Sequence, residues 1–394
     1  MPQTVYDVTT WPGASVSPYV DIGKVMNEII ADIKATQNTQ TTRPGAVIYI
    51  PPGHYDLLTR VTIDISHLQI KGSGHGFLSE AIRDESNASQ WVETLPGASH
   101  IRVKNTDGQS EAFLVARSGS PATVGRLNSI EFRDFCIDGV SSSKPYIPGN
   151  GKTGILVETD NDSFRIEGMG FVYLTHALVI RGADAPYITN NFIAECGSCV
   201  ELLGASQVAR ITNNFLISAW AGSAVFAENA EGMLISGNSL LWYGSIRLVN
   251  TKRSSITANK FVSSWPGMVI LEPGSDENLI SSNQFFRTDT ESSINNGKDD
   301  YFGLLHLNGN NNTVTANHFS YGVATQFIRP AGAVPTIVLV RSGTRNYLAS
   351  NNIVSNVPAR VVLDASTTET KIIYSAQDSQ IQAFTTNYSK VPTP

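Results

Sequence analysis

Residues 188–193 read ITNNFI, and residues 211–216 read ITNNFL. The figure is an apolar residue, Ser or Thr, any residue, Asn, any residue, then an apolar one. It returns as ISGNSL from Ile235, ITANKF from Ile256, ISSNQF from Ile280, VTANHF from Val314 and, more loosely, LASNNI from Leu348. The shared Asn falls at 191, 214, 238, 259, 283, 317 and 351, in steps of 23, 24, 21, 24, 34 and 34 residues. Upstream, IEGMGF from Ile166 and IEFRDF from Ile130 keep the apolar positions without the Asn. A second apolar run recurs between these steps, as in ALVIRG, CVELLG, AVFAEN, SIRLVN and LLHLNG. Each period therefore holds two or three short strands. One such repeat cannot bury its own apolar face, but stacked repeats close a continuous core. The pattern predicts an all-β fold, a right-handed single-stranded parallel β-helix with one coil per repeat. The Asn residues stack at a turn, each amide bonding the next, in a residue type that tolerates left-handed backbone. Propeller blades, at about 40 residues or more, do not fit the period.

A solenoid needs its ends covered. Residues 21–35 place Ile22, Val25, Met26, Ile29, Ile30 and Ile33 on one helical face, with Asp21 as the N-cap. AVIYIPPGHYDL then leads into the coils. The expected organisation is one domain over 1–394: a cap to residue 60, coils over 61–365, and a C-terminal cap over 366–394. Insertions near 141–152, 287–303 and 320–335 sit on loops, where a rigid solenoid carries binding or subunit contacts.

Charged residues are 16% of the chain, below the usual quarter, and the net charge is −6. No basic stripe points to nucleic acid, and no apolar run is long enough to cross a membrane. A neutral polymer suits this surface better than an acidic one. Three cysteines, an odd number, make no disulfide framework. CGSC at 196–199 lies between strands, not at the helix start that redox chemistry uses, and no second pair completes a zinc set. Gly-His-Gly at 74–76 and Asp299-Asp300 occur in the reverse of the order that a polygalacturonase reading needs.

Two carboxylates stand out. Glu195 takes a repeat position that Ser218 and Ser263 fill in later coils. Asp184 lies in a turn of the same coil, beside Arg181, which is expected to hold it ionised. Paired carboxylates are what glycosyl transfer requires, one as acid for the leaving oxygen and one at the anomeric centre.

The stretch NDSFRIEGMGFVYLTHALVIRGADAPYITNNFIAECGSCVEL closely resembles the inulin fructotransferase family, glycoside hydrolase family ninety-one. So do YDVTTW, DIGKVMNEIIADIK, PGASHIRV, EFRDFCIDGV, NGKTGI, RPAGAVPT and VVLDASTT. The resemblance spans nearly the whole chain. It implies a trimer of right-handed β-helices that releases terminal difructose from inulin as a cyclic anhydride, with no cofactor and no metal. It also implies that Asp184 and Glu195 are the catalytic pair, since they match the family's RGADA and AECG.

Three readings follow. The first is intramolecular fructosyl transfer, giving difructose anhydride III first and anhydride I as the variant product. The second is hydrolysis of anhydride III to inulobiose on the same site. The third is a glycan-binding β-helix without catalysis. Arg181, Glu201, Trp242, Arg287, Asp299 and Asp300 are candidates to hold sugar hydroxyls, and Trp220, Tyr243 and Trp265 to stack on sugar faces. Fructan or anhydride is the expected small partner, and a homotrimer with sites at subunit interfaces the expected assembly. An extracellular location with a removed leader is expected, or a cytoplasmic one if the native chain begins at Met1.

Overall fold

The computed structural model describes residues 4–36, 45–76, 97–117, 126–140, 150–158, 160–218, 222–263, 267–287, 302–321, 335–355, 359–374, 381–383, 385 and 388–392. The chain forms two compact units, Met1–Arg210 and Ile211–Pro394. Each is a parallel β-helix with three strands per coil.

In the first unit, one ladder runs through Ala46–Tyr49, Leu68–Lys71, Glu131–Arg133, Arg165–Glu167 and Tyr187–Thr189. A second runs through Gly53–Leu57, Ser99–Val103, Cys136–Asp138, Gly170–Val172 and Phe192–Cys196. A third runs through Val61–Ile63, Glu111–Val115, Thr153–Val157, His176–Arg181 and Ser198–Leu203. A short fourth ladder, Leu127–Asn128, Asn161–Asp162 and Ala183–Asp184, bridges the corner between the third and the first. Alternate side chains such as Phe132, Ile166 and Ile188 point inward and are fully buried.

Helix Ile22–Thr36 closes the first unit with the predicted face buried. Asp21 caps it, its Oδ1 accepting from the amides of Gly23 at 3.1 Å and Lys24 at 3.3 Å. The same carboxylate accepts from Leu58 N, Thr59 N and Thr59 Oγ1, so the cap also staples the helix to the adjacent turn.

The second unit carries the Asn repeat as a continuous ladder. Asn214 Nδ2 donates to Asn238 Oδ1 at 3.0 Å, Asn238 to Asn259 at 2.9 Å, and Asn259 to Asn283 at 3.0 Å. Asn283 donates to Asn317, and Asn317 to Asn351, both at 3.0 Å. Each step also satisfies a backbone amide, as when Asn259 N donates to Asn283 Oδ1. The left-handed residue is not the ladder Asn but the one before it: Asn213, Ala258, Ser282, Ala316 and Ser350 have φ between 53° and 58°. That residue makes the bend, and the Asn behind it turns its amide inward. A second ladder links Asn278 and Asn312 at 3.2 Å, and Asn312 N donates to Asn346 Oδ1 at 3.0 Å. Phe261, Phe285 and Phe319 stack inside, with centroids 4.7 and 4.6 Å apart.

One alignment is corrected. Ile166 pairs with Phe132, not with Ile130, so the repeat there starts two residues later. Asp134, φ 58°, then makes the bend, and fully buried Phe135 fills the Asn place. An apolar side chain there satisfies the core but leaves no polar anchor by which sequence could fix the register.

Candidate active site

Asp184 ends the short corner strand Ala183–Asp184, just beyond the third-ladder strand His176–Arg181. Gly182 between them has φ +60°, and a Cβ there would meet Asp160 Oδ1 at 2.8 Å, so the corner favours glycine. In the short ladder Asp184 lies directly over Asp162, which lies over Asn128. Gln207 pairs on its other side. Asp184 Oδ2 accepts from Arg126 Nη1 at 3.1 Å. The expected Arg181 partnership does not form. Arg181 turns to Glu158, 3.1 Å away, which immediately follows the neighbouring third-ladder strand Thr153–Val157.

Glu195 lies in Phe192–Cys196, at the corner between the second and third ladders. Its φ is +52°, and Tyr173, the next residue after the Val172–Ala194 pair in the coil before, has φ 55°. The left-handed backbone thus belongs to the corner, and what changes between coils is the side chain. Glu195 is half-buried, with its Oε1 atom buried.

The two carboxylates sit off opposite ends of one wall. Glu195 precedes Ser198, which pairs with His176, and Asp184 follows Arg181, which pairs with Leu203. The six-residue strand between them is roughly 20 Å long at about 3.3 Å per residue. Carboxylates that act together on one glycosidic bond stand about 5–10 Å apart. A Glu side chain and an Asp side chain together do not close that gap within one chain.

The outer face of that wall holds the sequence candidate Glu201 with a partner missed in the sequence, His176. His176 Nδ1 lies 2.9 Å from Glu201 Oε1. The hydrogen bond to Glu201 raises the His176 pKa against the opposing effect of burial. Burial pushes the Glu201 carboxyl up, but His176, Ser198 and Arg181 outweigh it and hold it below the usual range. Glu201 and Arg181 therefore face the wall that separates the two acids.

On the second ladder's outer side, His54 Nδ1 meets His100 Nδ1 at 2.8 Å, and His100 Nε2 meets Asp138 Oδ2 at 3.1 Å. His100 and Asp138 are fully buried. The cysteines Cys136, Cys196 and Cys199 are all free and buried, and burial pushes the Cys196 thiol up, away from thiolate chemistry. His75 of Gly-His-Gly stacks on Phe192, 5.9 Å between centroids.

In the second unit, Trp242 and Arg287 share one column, Ser218–Trp242–Ser263–Arg287–Tyr321–Ser355. By the Asn-anchored repeat this is the Glu195 position of the later coils. Trp242 is half exposed and Arg287 buried. Tyr243 follows Trp242. Trp220, Trp265, Asp299 and Asp300 lie outside the described residues. No group of three or more His, Cys, Asp or Glu set to hold a metal occurs among the described residues.

Residues 282–394 match the family described as Beta helix repeat of Inulin fructotransferase, and residues 149–302 match that described as Periplasmic copper-binding protein (NosD). The chain is 68% identical, over 100% of both chains, to a DFA-I-forming inulin fructotransferase of Arthrobacter globiformis, DFA being difructose anhydride. It is similar to the solved DFA-IIIase of Arthrobacter chlorophenolicus A6 without its lid in complex with GF2: TM-score 0.89, 43% identity, covering 100% of this chain and 99% of that one. It is likewise similar to the same enzyme in complex with DFA-III, TM-score 0.88 and 40% identity over 99% of each chain.

Proposed function

Because the chain belongs to the inulin fructotransferase family, we propose that it cuts the terminal difructose from inulin and closes it into difructose anhydride I. The observation that carries this is the 68% identity over both full chains to a DFA-I-forming enzyme. Anhydride III stands first among the products expected from the sequence. The two products differ in which sugar hydroxyl closes the second link, and the relative of higher identity favours type I.

In the proposed reaction Glu195 protonates the glycosidic oxygen that leaves. Asp184 stabilises the oxocarbenium-like centre at C2. A hydroxyl of the adjoining fructose attacks that carbon, and the proton it releases restores Glu195. One C–O bond breaks, one forms, and no water is consumed. The attacker is tethered, so proximity replaces an outside acceptor. The chemistry calls on no metal or organic cofactor.

The wall of roughly 20 Å between the two acids supports a site completed by another copy of the chain. The Glu195 edge of one subunit then meets the Asp184 edge of the next, and a C3 ring closes that contact three times. Light scattering is expected to give three times the 42.5 kDa chain; a fully active monomer would defeat the shared site. A polymer substrate favours a location outside the cell, and native protein confined to the cell pellet would contradict that.

The direct test is incubation with inulin and separation of products. Difructose anhydride I, a cyclic disaccharide without a reducing end, is expected. Anhydride III as sole product overturns the assignment of type, and free fructose or inulobiose as first product overturns the transferase reading. The DFA-III complex of a relative with TM-score 0.88 favours one alternative, hydrolysis of that anhydride. It requires inulin to be inert while DFA-III gives inulobiose.

A further inference from the structure

Arg126 is 58 residues from Asp184 in sequence, yet its Nη1 lies 3.1 Å from Asp184 Oδ2. It stands immediately before Leu127–Asn128, the first rung of the short corner ladder, while Asp184 ends the third rung. At about 4.8 Å per rung the side chain reaches across two coils. The backbone that carries it is fixed on both sides. Leu127 N donates to Asp160 O and Ser129 N to Asp162 O, and Asn128 N donates to Ser66 Oγ.

The corner is crowded with acids, and the cations are divided among them. Arg181 pairs with Glu158 at 3.1 Å and Arg117 lies 3.6 Å from Asp160. Asp162 takes a hydrogen bond from its neighbour Ser163, Oγ to Oδ1 at 2.9 Å. Arg126 passes this nearer carboxylate and engages Asp184. The contact involves only Oδ2. Among the described residues Oδ1 has no protein partner, and the side chain is 40% exposed. One oxygen is clamped and the other is left to take a further hydrogen bond.

We propose that Arg126 is a positioning residue for Asp184, clamping Oδ2 so that Oδ1 is the oxygen offered to the sugar. It rests on the catalytic reading of Asp184 given above. A guanidinium does this better than an ammonium, because its planar fork fixes direction as well as charge. The loss should appear in turnover more than in substrate affinity, since the interaction matters once charge develops at the anomeric carbon.

The test is the kinetics of Arg126→Ala and Arg126→Lys on inulin, with Arg253→Ala, an exposed ion-paired arginine of the second unit, as control. Arg126→Ala is expected to lose about a hundredfold in kcat with KM changed less than about threefold, and Arg126→Lys to lose about tenfold. Millimolar guanidinium should restore part of the Arg126→Ala rate and none of the Asp184→Asn rate. In the Asp184→Asn background, removing Arg126 should cost little more, because the two act as one unit. Arg126→Lys keeps the charge and most of the length, so the test stands even if the alanine variant folds poorly. The proposal is overturned if Arg126→Ala keeps kcat within about twofold, if guanidinium fails to rescue it, or if its loss multiplies with that of Asp184→Asn. Should Asp184→Asn itself turn over normally, the underlying catalytic reading fails. Should Asp184→Asn be inactive while Arg126→Ala is normal, only the positioning role fails.

Discussion

The two units run the same three-strand coil but spend their residues differently. In Ile211–Pro394 the corner after the first ladder is filled by Asn in every coil from Asn214 to Asn351, and three phenylalanines stack in register inside. In Met1–Arg210 the same corner holds Phe135, then Met169, then Asn191, and the interior phenylalanines meet edge-on or tilted, as Phe113 does with Phe132 and Phe135. The first unit also carries the stacked Asp162 and Asp184, the His176–Glu201 pair, and Glu195 at a position that later coils fill with Ser, Trp, Arg or Tyr and never with an acid. Regular coils are held by repetition, each Asn satisfying the next. Irregular coils give up that repetition, and the candidate chemistry collects there.

The sharpest way to break this comparison is to exchange charge for amide in the first unit. Glu195→Gln is expected to lose at least about a thousandfold in turnover, since an amide delivers no proton, and Asp184→Asn nearly as much. Both should unfold near the wild-type temperature, because each exchange keeps the side chain's size and neither side chain takes part in the Asn ladders. Ser218→Ala, at the matching repeat position of the second unit, should leave turnover within about twofold. Near wild-type rates in either acid variant would remove the division of labour.

The complementary experiment strikes the second unit. Asn259 accepts from Asn238 and donates to Asn283 Oδ1 and Ile235 O, all in buried surroundings. Asn259→Ala strands several of these groups, and at about 1–3 kcal/mol for each group left unsatisfied a loss of roughly 3 kcal/mol in unfolding free energy is expected. Turnover of the folded fraction should be unchanged. A loss in urea titration under about 0.5 kcal/mol, typical of a plain surface substitution, would show that the ladder is ornamental.

A smaller effect concerns pH. The His176 pKa is raised in the fold, so its contribution is full below the unfolded value near about 6.5 and fades as pH rises through the folded value. The Glu201 pKa is lowered, so its contribution is full above the unfolded value near about 4.3 and fades as pH falls through the folded value. The pair therefore stabilises most between about pH 4.5 and 6.5. His176 is 42% exposed, and solvent screening limits the contribution to about 1 kcal/mol or less. The melting-temperature deficit of Glu201→Gln should peak near about pH 5.5 and shrink above about pH 7.5; a deficit independent of pH would assign it to packing instead.

What sequence reveals follows the same division. Helix Ile22–Thr36 and the Asn column were legible because both are periodic. The second Asn ladder carries a signal of its own, in the pairs Asn278 and Asn283, Asn312 and Asn317, Asn346 and Asn351, each five apart. Around 130–135 the register slipped by two residues because an apolar Phe135 replaces the polar anchor. Asp184 and Glu195 stood out as departures from a repeat and through their family motifs. Arg126 did not, since contacts between coils of unequal length follow no fixed spacing. The tempting local partner, Arg181, lies three residues from Asp184 but belongs to a different ladder.

The central claim is that one chain's Glu195 works with another chain's Asp184, and it has a direct measurement. Asp184→Asn and Glu195→Gln, each expected to be inactive alone, are co-expressed in equal amounts so that mixed assemblies form. A shared interface then rebuilds an intact site wherever the Glu195 of an Asp184→Asn chain meets the Asp184 of a Glu195→Gln chain. Random assembly makes that about one site in four, so recovery of roughly a quarter of wild-type activity is expected. No recovery above the two variants alone, from assemblies verified to contain both chains, would contradict the account.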